Sequence, residues 1–371
     1  MTTPAPLAPV PMPAPVAPPV VAPRLPADAT TGGLAFHRLV FARQRNGWWT
    51  PLAVAGLGIA FYCAMLAMVM VFMIVAAIAD PTFLDRMMAI AQDPGFNLGD
   101  PVMLVFLLGT IILMWPAYVL ASLIINGKRV GLISSAAGRL RWRWMLMCGL
   151  VAAVLSAVLT GVSFLLPADA PATAPEPNPL WAVSLILIVL LVPLQSAAEE
   201  YIFRGYLMQA IGRWLRHPAF AILLPVPLFV LGHLYDVLGQ ISVGLFAVAA
   251  GWLTWRTGGL EAAIALHVVN NLSGFLLSLA AGSDPTASTT GWLSFLWSFL
   301  LIGGYVALVE GMLRRRPLPR TLILTPPVAD ASIQARAHGA FQHGPDLGVR
   351  VDGQAVQDQP VGGGHEGARG L

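Results

Sequence analysis

Long apolar runs constrain this chain more than any other feature of its sequence. The first run, residues 52–78, contains no charged side chain. A helix that crosses a bilayer needs about 20 apolar residues, more than a strand or an ordinary core helix supplies. We therefore predict an all-α fold, a polytopic membrane helix bundle of about eight transmembrane helices. The eight apolar segments are residues 52–78, 102–125, 144–166, 180–198, 219–234, 241–255, 260–281 and 292–312.

The fifth and sixth segments are shorter than a full span, at 16 and 15 residues. Each could be tilted, broken or re-entrant, and the sequence leaves these alternatives open. If both segments cross the membrane, or if neither does, the two chain termini lie on the same side of it.

Composition and charge exclude several other classes of protein. Apolar residues make up 57% of the chain and charged residues 11%, whereas soluble proteins carry about 25% charged residues. The net charge of +3 is too small to indicate binding to nucleic acid, and we predict no nucleic-acid partner. Cys63 and Cys148 both lie inside apolar segments, which excludes a disulfide framework and a cysteine-based zinc site.

Basic residues predict the orientation of the spans. One side of the predicted bundle collects sixteen lysines and arginines, and the other side has Arg86 alone. Cytoplasmic loops of membrane proteins are enriched in these residues. We expect a multi-pass protein of a bacterial cytoplasmic membrane, with both termini in the cytoplasm and the lipid bilayer as its surroundings.

The ends of the chain differ in composition from the apolar middle. Residues 1–44 include a Pro/Ala-rich tract, and residues 317–371 are rich in Gly, Pro, Asp and Gln. Both compositions are typical of disordered segments. We predict two disordered cytoplasmic tails, 1–44 and 317–371, around a multi-span membrane domain at 45–316.

Polar and ionisable residues concentrate in one part of the membrane domain. A charged side chain at the centre of a membrane helix costs about 2.5–3.5 kcal/mol on insertion scales, so such residues usually serve function. The candidates lie in a motif core at 180–280, and they are Glu199, Glu200, Arg204, His233, His267 and Asn271.

Helical spacing gives the first three candidates different roles. Glu200 and Arg204 are four residues apart and can form an ion pair. Glu199 is rotated about 100° from Glu200 around the helix, so one glutamate is neutralised structurally and the other is free to face a cavity. By contrast, Glu261 and Glu310 are expected at cytoplasmic helix ends.

The remaining candidates add groups that suit hydrolysis. His267 and Asn271 share one helix face at the spacing with which HExxH helices present two histidines to zinc, and His233 could join them from a neighbouring helix. A carboxylate can accept a proton from water, histidines can hold a metal ion, and an amide can stabilise an oxyanion. The set suits hydrolysis of a peptide bond within the membrane.

The predicted depths of these residues do not converge. At a rise of 1.5 Å per residue, Glu199 lies near the cytoplasmic surface, His267 about 10 Å deep and His233 more than about 20 Å deep. Either of two features would correct this. Pro225 and Pro227 could break the fifth segment and lift His233, or the fourth helix could sit deeper in the membrane.

Three short motifs resemble those of the CPBP family, which contains CAAX proteases and bacteriocin-processing enzymes. The family motifs are EExxxR, FxxxH and HxxxN or HxxxD, and they occur in this order on successive apolar segments. Here they are Glu199-Glu200-x-x-x-Arg204, Phe229-x-x-x-His233 and His267-x-x-x-Asn271.

The resemblance implies an intramembrane endopeptidase in which Glu199 activates water. It implies two versions of the site. In the first, His233, His267 and Asn271 bind zinc, and the enzyme is a metalloprotease. In the second, which is metal-free, Glu199 and His233 hold the water while His267 and Asn271 form the oxyanion site. The partner would be a peptide or protein substrate of unknown identity, in peptide processing or self-immunity.

Two other classes of function remain open from the sequence. The same fold could bind a peptide or partner without catalysis, as an immunity or scaffolding protein. Glu199 and the histidines could also form the proton relay of a transporter, although no internal inverted repeat is apparent.

Overall fold

A computed structural model describes residues 25–92, 100–166, 178–282 and 291–324 of the chain. These residues confirm the all-α prediction. The helices are α1 (Thr50–Ala79), α2 (Pro81–Gln92), α3 (Pro101–Ile112), α4 (Met114–Asn126), α5 (Trp142–Ser163), α6 (Trp181–Glu200), α7 (Met208–Trp214), α8 (Pro218–Leu223), α9 (Val226–Leu231), α10 (Val237–Thr257), α11 (Glu261–Ala281) and α12 (Trp292–Arg315). Short 3-10 helices occupy Ala27–Ala29, Phe36–Ala42 and Val130–Ile133, and the strands are β1 (Leu34–Ala35) and β2 (Thr321–Leu322).

Seven helical stretches of the described residues are long and apolar enough to cross a membrane. The sixth apolar segment is one of them, since α10 has 21 residues. The fifth segment is broken into α8 and α9 at Leu224 and Pro225. Pro225 has no N–H to continue the backbone ladder of α8. The break therefore follows from the prolines that the sequence places there.

The two ends of the folded body meet on one side of the bundle. Leu34 of β1 pairs with Leu322 of β2 in an antiparallel ladder, and Ala35 pairs with Thr321. These strands precede α1 and follow α12, so the segments at the two ends of the bundle lie side by side. The broken α8–α9 pair is a shorter apolar stretch beside the seven long ones. It packs along α10.

α11 lies at the centre of the bundle, packed against α5, α6, α10 and α12. α6 lies between α11 and α3, and α1 packs on α4 at the edge. α10 ends at Gly258, which has the left-handed backbone angle φ of 71° that glycine adopts without strain. α11 then begins at Glu261, and this tight connection places the polar face of α11 against α6.

Residues before α1 and after α12 form part of this body. Phe36 and Leu39 are fully buried, and the Arg38 guanidinium donates to the Gly212 carbonyl at the end of α7. The predicted boundaries at 44 and 317 are therefore corrected, because residues 25–44 and 317–324 have tertiary partners that composition does not report. The rest of the two predicted tails, 1–24 and 325–371, lies outside the described residues.

Candidate active site

The two adjacent glutamates lie in the middle of a long helix. α6 continues through a π-helical segment, Tyr201–Leu207, into α7, so that Trp181–Trp214 forms one helical stretch of 34 residues. The predicted end of the fourth segment at residue 198 is wrong, because the apolar run stops there while the helix does not. The fourth helix thus extends further than its apolar run, and this extension carries Glu200 to within 2.7 Å of His267 in the third motif. Wider π-helical turns recur at functional sites.

Glu200 joins α6 to α11. Its side chain is fully buried, and its Oε1 accepts a hydrogen bond from Arg204 Nη1 at 2.7 Å. The same oxygen lies 2.7 Å from His267 Nδ1. The ion pair is the one that the four-residue spacing predicts. Because a carboxylate only accepts hydrogen bonds, Nδ1 carries the proton, and the ring is oriented with Nε2 towards Glu199.

Glu199 approaches the other nitrogen of the same imidazole. Its Oε2 lies 3.4 Å from His267 Nε2, within ion-pair range. This oxygen is buried and has no hydrogen-bond partner among the residues that the structure describes. The second oxygen, Oε1, accepts a hydrogen bond from Gln195 Nε2 at 2.7 Å. One carboxylate oxygen is therefore held in place, and the other is available to a further group.

Aromatic rings and a backbone carbonyl hold Arg204 in the bundle. Its guanidinium carbon lies 4.5 Å from the ring centre of Phe229 and 5.6 Å from that of Phe246. Its Nη2 donates to the Ala247 carbonyl at 3.1 Å. A guanidinium over aromatic faces is stabilised by their electron density. The positive charge that balances Glu200 is thus fixed from both sides, and Phe229 serves as a packing residue.

His233 is linked to the other motif residues through an aromatic ring. Its Nδ1 lies 2.8 Å from the Phe229 carbonyl oxygen, and its ring centre lies 4.8 Å from that of Phe229. The Phe229 ring is in turn 6.1 Å from His267. The structure thus places His233 beside Phe229, with the Phe229 ring between it and His267.

Asn271 lies one turn after His267 and points to α6. Its Nδ2 donates to Gln195 Oε1 at 3.3 Å, and its Oδ1 accepts from Asn270 Nδ2 at 3.1 Å. Asn271 is therefore connected to Glu199 through Gln195.

Two of the predicted zinc ligands are engaged with other groups in this structure. Both ring nitrogens of His267 face glutamate oxygens, and Nδ1 of His233 faces the Phe229 carbonyl. Within the described ranges, no group of three or more His, Cys, Asp or Glu side chains could hold a metal ion.

Gln195 is a residue of the site that our sequence analysis did not identify. It is 5% exposed and forms hydrogen bonds to both Glu199 and Asn271. The signal was present, because an amide inside an apolar helix four residues before Glu199 shares its face.

The arrangement is suited to proton transfer. Glu200 orients the imidazole, and Glu199 presents a buried, unbonded oxygen beside the imidazole's second nitrogen. The charges of Glu200 and Arg204 cancel, and Glu199 is left without a guanidinium of its own among the described residues. A carboxylate in such surroundings can accept a proton from a bound water molecule.

The family comparison matches the part of the chain that carries these residues. Residues 178–273 match the family model described as Rce1-like, type II CAAX prenyl endopeptidase. The match spans all three motifs and confirms the resemblance to CAAX proteases. At the level of this family the activity is that of a protease.

A curated relative matches the same chain over a short stretch. The chain is 34% identical over 100 residues to the uncharacterized protein YyaK of Bacillus subtilis (strain 168). This stretch is 25% of the present chain and 33% of the relative, so the chain spans about a third of the length of the relative that it matches. No solved structure matches the chain.

Proposed function

We propose, from the match of residues 178–273 to the Rce1-like family model, that the chain is an intramembrane endopeptidase that hydrolyses a peptide bond with water activated by Glu199. One observation carries the proposal. The Oε2 atom of Glu199 is buried, unbonded among the described residues and 3.4 Å from an imidazole that Glu200 orients.

The proposed reaction begins with a water molecule at Glu199 Oε2. Glu199 accepts one proton as the water oxygen attacks the peptide carbonyl carbon, and a tetrahedral oxyanion forms. The C–N bond then breaks, and the proton passes from Glu199 to the leaving amine. This is general base catalysis followed by general acid catalysis with one carboxyl group.

The other motif residues support these steps. Glu200 and Arg204 hold His267 in one orientation, and His267 stabilises the charge that moves through the site. Asn271 supplies an amide N–H for the oxyanion when the substrate carbonyl replaces Gln195 as its acceptor. His233 lies beside Phe229, where it can contact the incoming peptide.

Substrate and place of action follow as part of the same proposal. We propose a peptide or protein substrate that reaches the site from the bilayer, in peptide processing or self-immunity. We propose the bacterial cytoplasmic membrane, with both termini cytoplasmic, because Arg129 and Arg141 of the arginine-rich loop donate to the backbone of the two end segments, at Ala42 and Pro319.

The test uses the purified protein in liposomes with a panel of fluorogenic peptides. The panel contains transmembrane peptides and C-terminal peptides with and without a prenyl group. Glu199→Gln keeps the shape of the side chain and removes its basic oxygen, and we expect it to lower the cleavage rate about 10²–10⁴-fold. Glu310→Gln is the matched control, since Glu310 pairs with Arg256 away from the site. Cleavage that survives Glu199→Gln would exclude Glu199 as the base.

Zinc is a separate proposal with its own measurement. If zinc assists the reaction through His233, His267 and Asn271, the purified protein contains about one zinc per chain, and His267→Ala removes it. His217→Ala, a change of an exposed histidine, should leave the metal content unchanged. Equal metal content in both variants would exclude His267 as a ligand.

A further inference from the structure

Gln195 occupies a position between two of the three motifs. Its Nε2 donates to Glu199 Oε1 at 2.7 Å, and its Oε1 accepts from Asn271 Nδ2 at 3.3 Å. It also accepts a longer bond of 3.4 Å from Ser196 Oγ. The N–H of this amide therefore binds the proposed base, Glu199, and its oxygen binds the proposed oxyanion donor, Asn271.

A second buried glutamine on the same helical stretch, Gln209, has a structural hydrogen bond and serves as a comparison. Gln209 is also 5% exposed, and its Nε2 donates to the backbone carbonyl of Leu132 at 2.9 Å. This bond ties α7 to the 3-10 helix Val130–Ile133 and involves no motif residue. Gln195 instead uses its amide for two functional side chains, although an amide inside an apolar helix is costly to bury without such partners.

We propose that Gln195 is a positioning residue of the active site, which rests on the function proposed above. Its N–H fixes Oε1 of Glu199 and so directs Oε2 towards His267 and the attacking water. Its carbonyl oxygen holds the Asn271 amide in the resting enzyme at the position from which this amide can turn to the oxyanion. Gln195 touches neither the water nor the scissile bond.

The experiment compares the two glutamines under the same change. Gln195→Leu and Gln209→Leu are prepared in liposomes, and kcat and KM are measured on a peptide that the wild-type protein cleaves, per folded molecule. We expect Gln195→Leu to lower kcat about 10²-fold, the cost of a misplaced catalytic group, with KM unchanged. Gln209→Leu should leave both constants unchanged, even where it lowers thermal stability.

A second variant guards against misfolding of the first. Gln195→Met has nearly the same shape, but its thioether has no N–H to donate to Glu199. We expect a loss of kcat as large as in Gln195→Leu.

The outcomes separate this inference from the proposed function. If the wild-type protein cleaves and both Gln195 variants keep its kcat, or raise KM alone, the positioning role is wrong and the proposed function stands. If the wild-type protein cleaves no peptide of the panel, the proposed function fails and the role of Gln195 fails with it. A loss of kcat confined to the Gln195 variants supports both.

Discussion

Glu261 and Glu200 are both fully buried, and each pairs with an arginine, Arg141 and Arg204 respectively. The two carboxylates differ in how many of their oxygens accept hydrogen bonds. Oε1 of Glu261 accepts from the backbone N–H of Arg141 at 2.9 Å and from its Nε at 2.8 Å, and Oε2 pairs with Nη2 at 2.6 Å. Glu200 uses Oε1 alone, for Arg204 and His267. Its Oε2 is buried without a hydrogen-bond partner in the part of the chain that the structure describes.

We expect this difference to separate a structural pair from a functional one. The Arg141 guanidinium also donates to the carbonyls of Thr257 and Pro319, so the pair ties the start of α5, the end of α10 and the C-terminal segment together. A bidentate pair with both oxygens used has no capacity for further chemistry. The Glu200–Arg204 pair keeps unused capacity beside Glu199 and His267, as expected of a functional site.

The largest expected difference between the two pairs is in the cleavage rate after both members of a pair are replaced. An apolar pair of similar volume can replace a buried ion pair with little loss of stability. We therefore expect Glu200→Leu with Arg204→Met, and Glu261→Leu with Arg141→Met, to remain folded. The first double variant should lose about 10²–10⁴-fold in cleavage rate because His267 is no longer oriented, and the second should keep its activity. Rates in liposomes and thermal unfolding check this, and equal activity of the two would refute the distinction.

Removing one partner of the structural pair tests how much it stabilises the fold. Arg141→Met leaves the Glu261 carboxylate buried and unpaired, and we expect the free energy of unfolding to fall by about 3–5 kcal/mol. Arg256→Met is the matched control. Its pair with Glu310 is partly exposed, with side chains 25% and 20% accessible, so its loss should cost about 0.2–1 kcal/mol. Unfolding in mixed micelles measures both, and equal losses would contradict the expectation.

A smaller effect is expected from the close packing around the structural pair. A Cβ at Gly259 would meet the Glu261 carboxylate and the Arg141 guanidinium. Gly259→Ala should therefore lower the free energy of unfolding by about 1–3 kcal/mol, as overpacking does. Gly303→Ala, where no atom lies within 4 Å of the added Cβ, should cost nothing. A Gly259→Ala protein as stable as wild type would show that the pair can shift.

The smallest effect is a pH dependence at the N-terminal segment, outside the spans. Burial lowers the pKa of His37 below its usual value, and its hydrogen bond to the Arg216 carbonyl opposes this. The unfolded chain therefore binds the proton more readily, and stability falls as the pH drops below about 6.5. His37→Gln, which cannot titrate, should flatten this part of the stability curve between pH 7 and 5. A curve of unchanged slope would exclude His37 as its origin.

Local sequence predicts the parts of the site that lie on one helix. The Glu200–Arg204 pair follows from a four-residue spacing, and Gln195 could have been identified in the same way from Glu199. The Glu261–Arg141 pair could not be predicted from local spacing, because its members are 120 residues apart. Glu261 was expected at a helix end, and it is the first residue of α11, but its complete burial depends on a loop that hydropathy does not place.

Hydropathy and residue spacing are local properties, and they suffice to predict an all-α membrane protein with three protease-like motifs. They do not predict that Glu199 lies in the middle of a 34-residue helical stretch, or that His267 reaches both glutamates while His233 stays beside Phe229. The partners of a polar side chain depend on the helices packed around it. The same dependence brought residues 25–44 into the fold, because their partners come from the end of α7 and from the segment after α12.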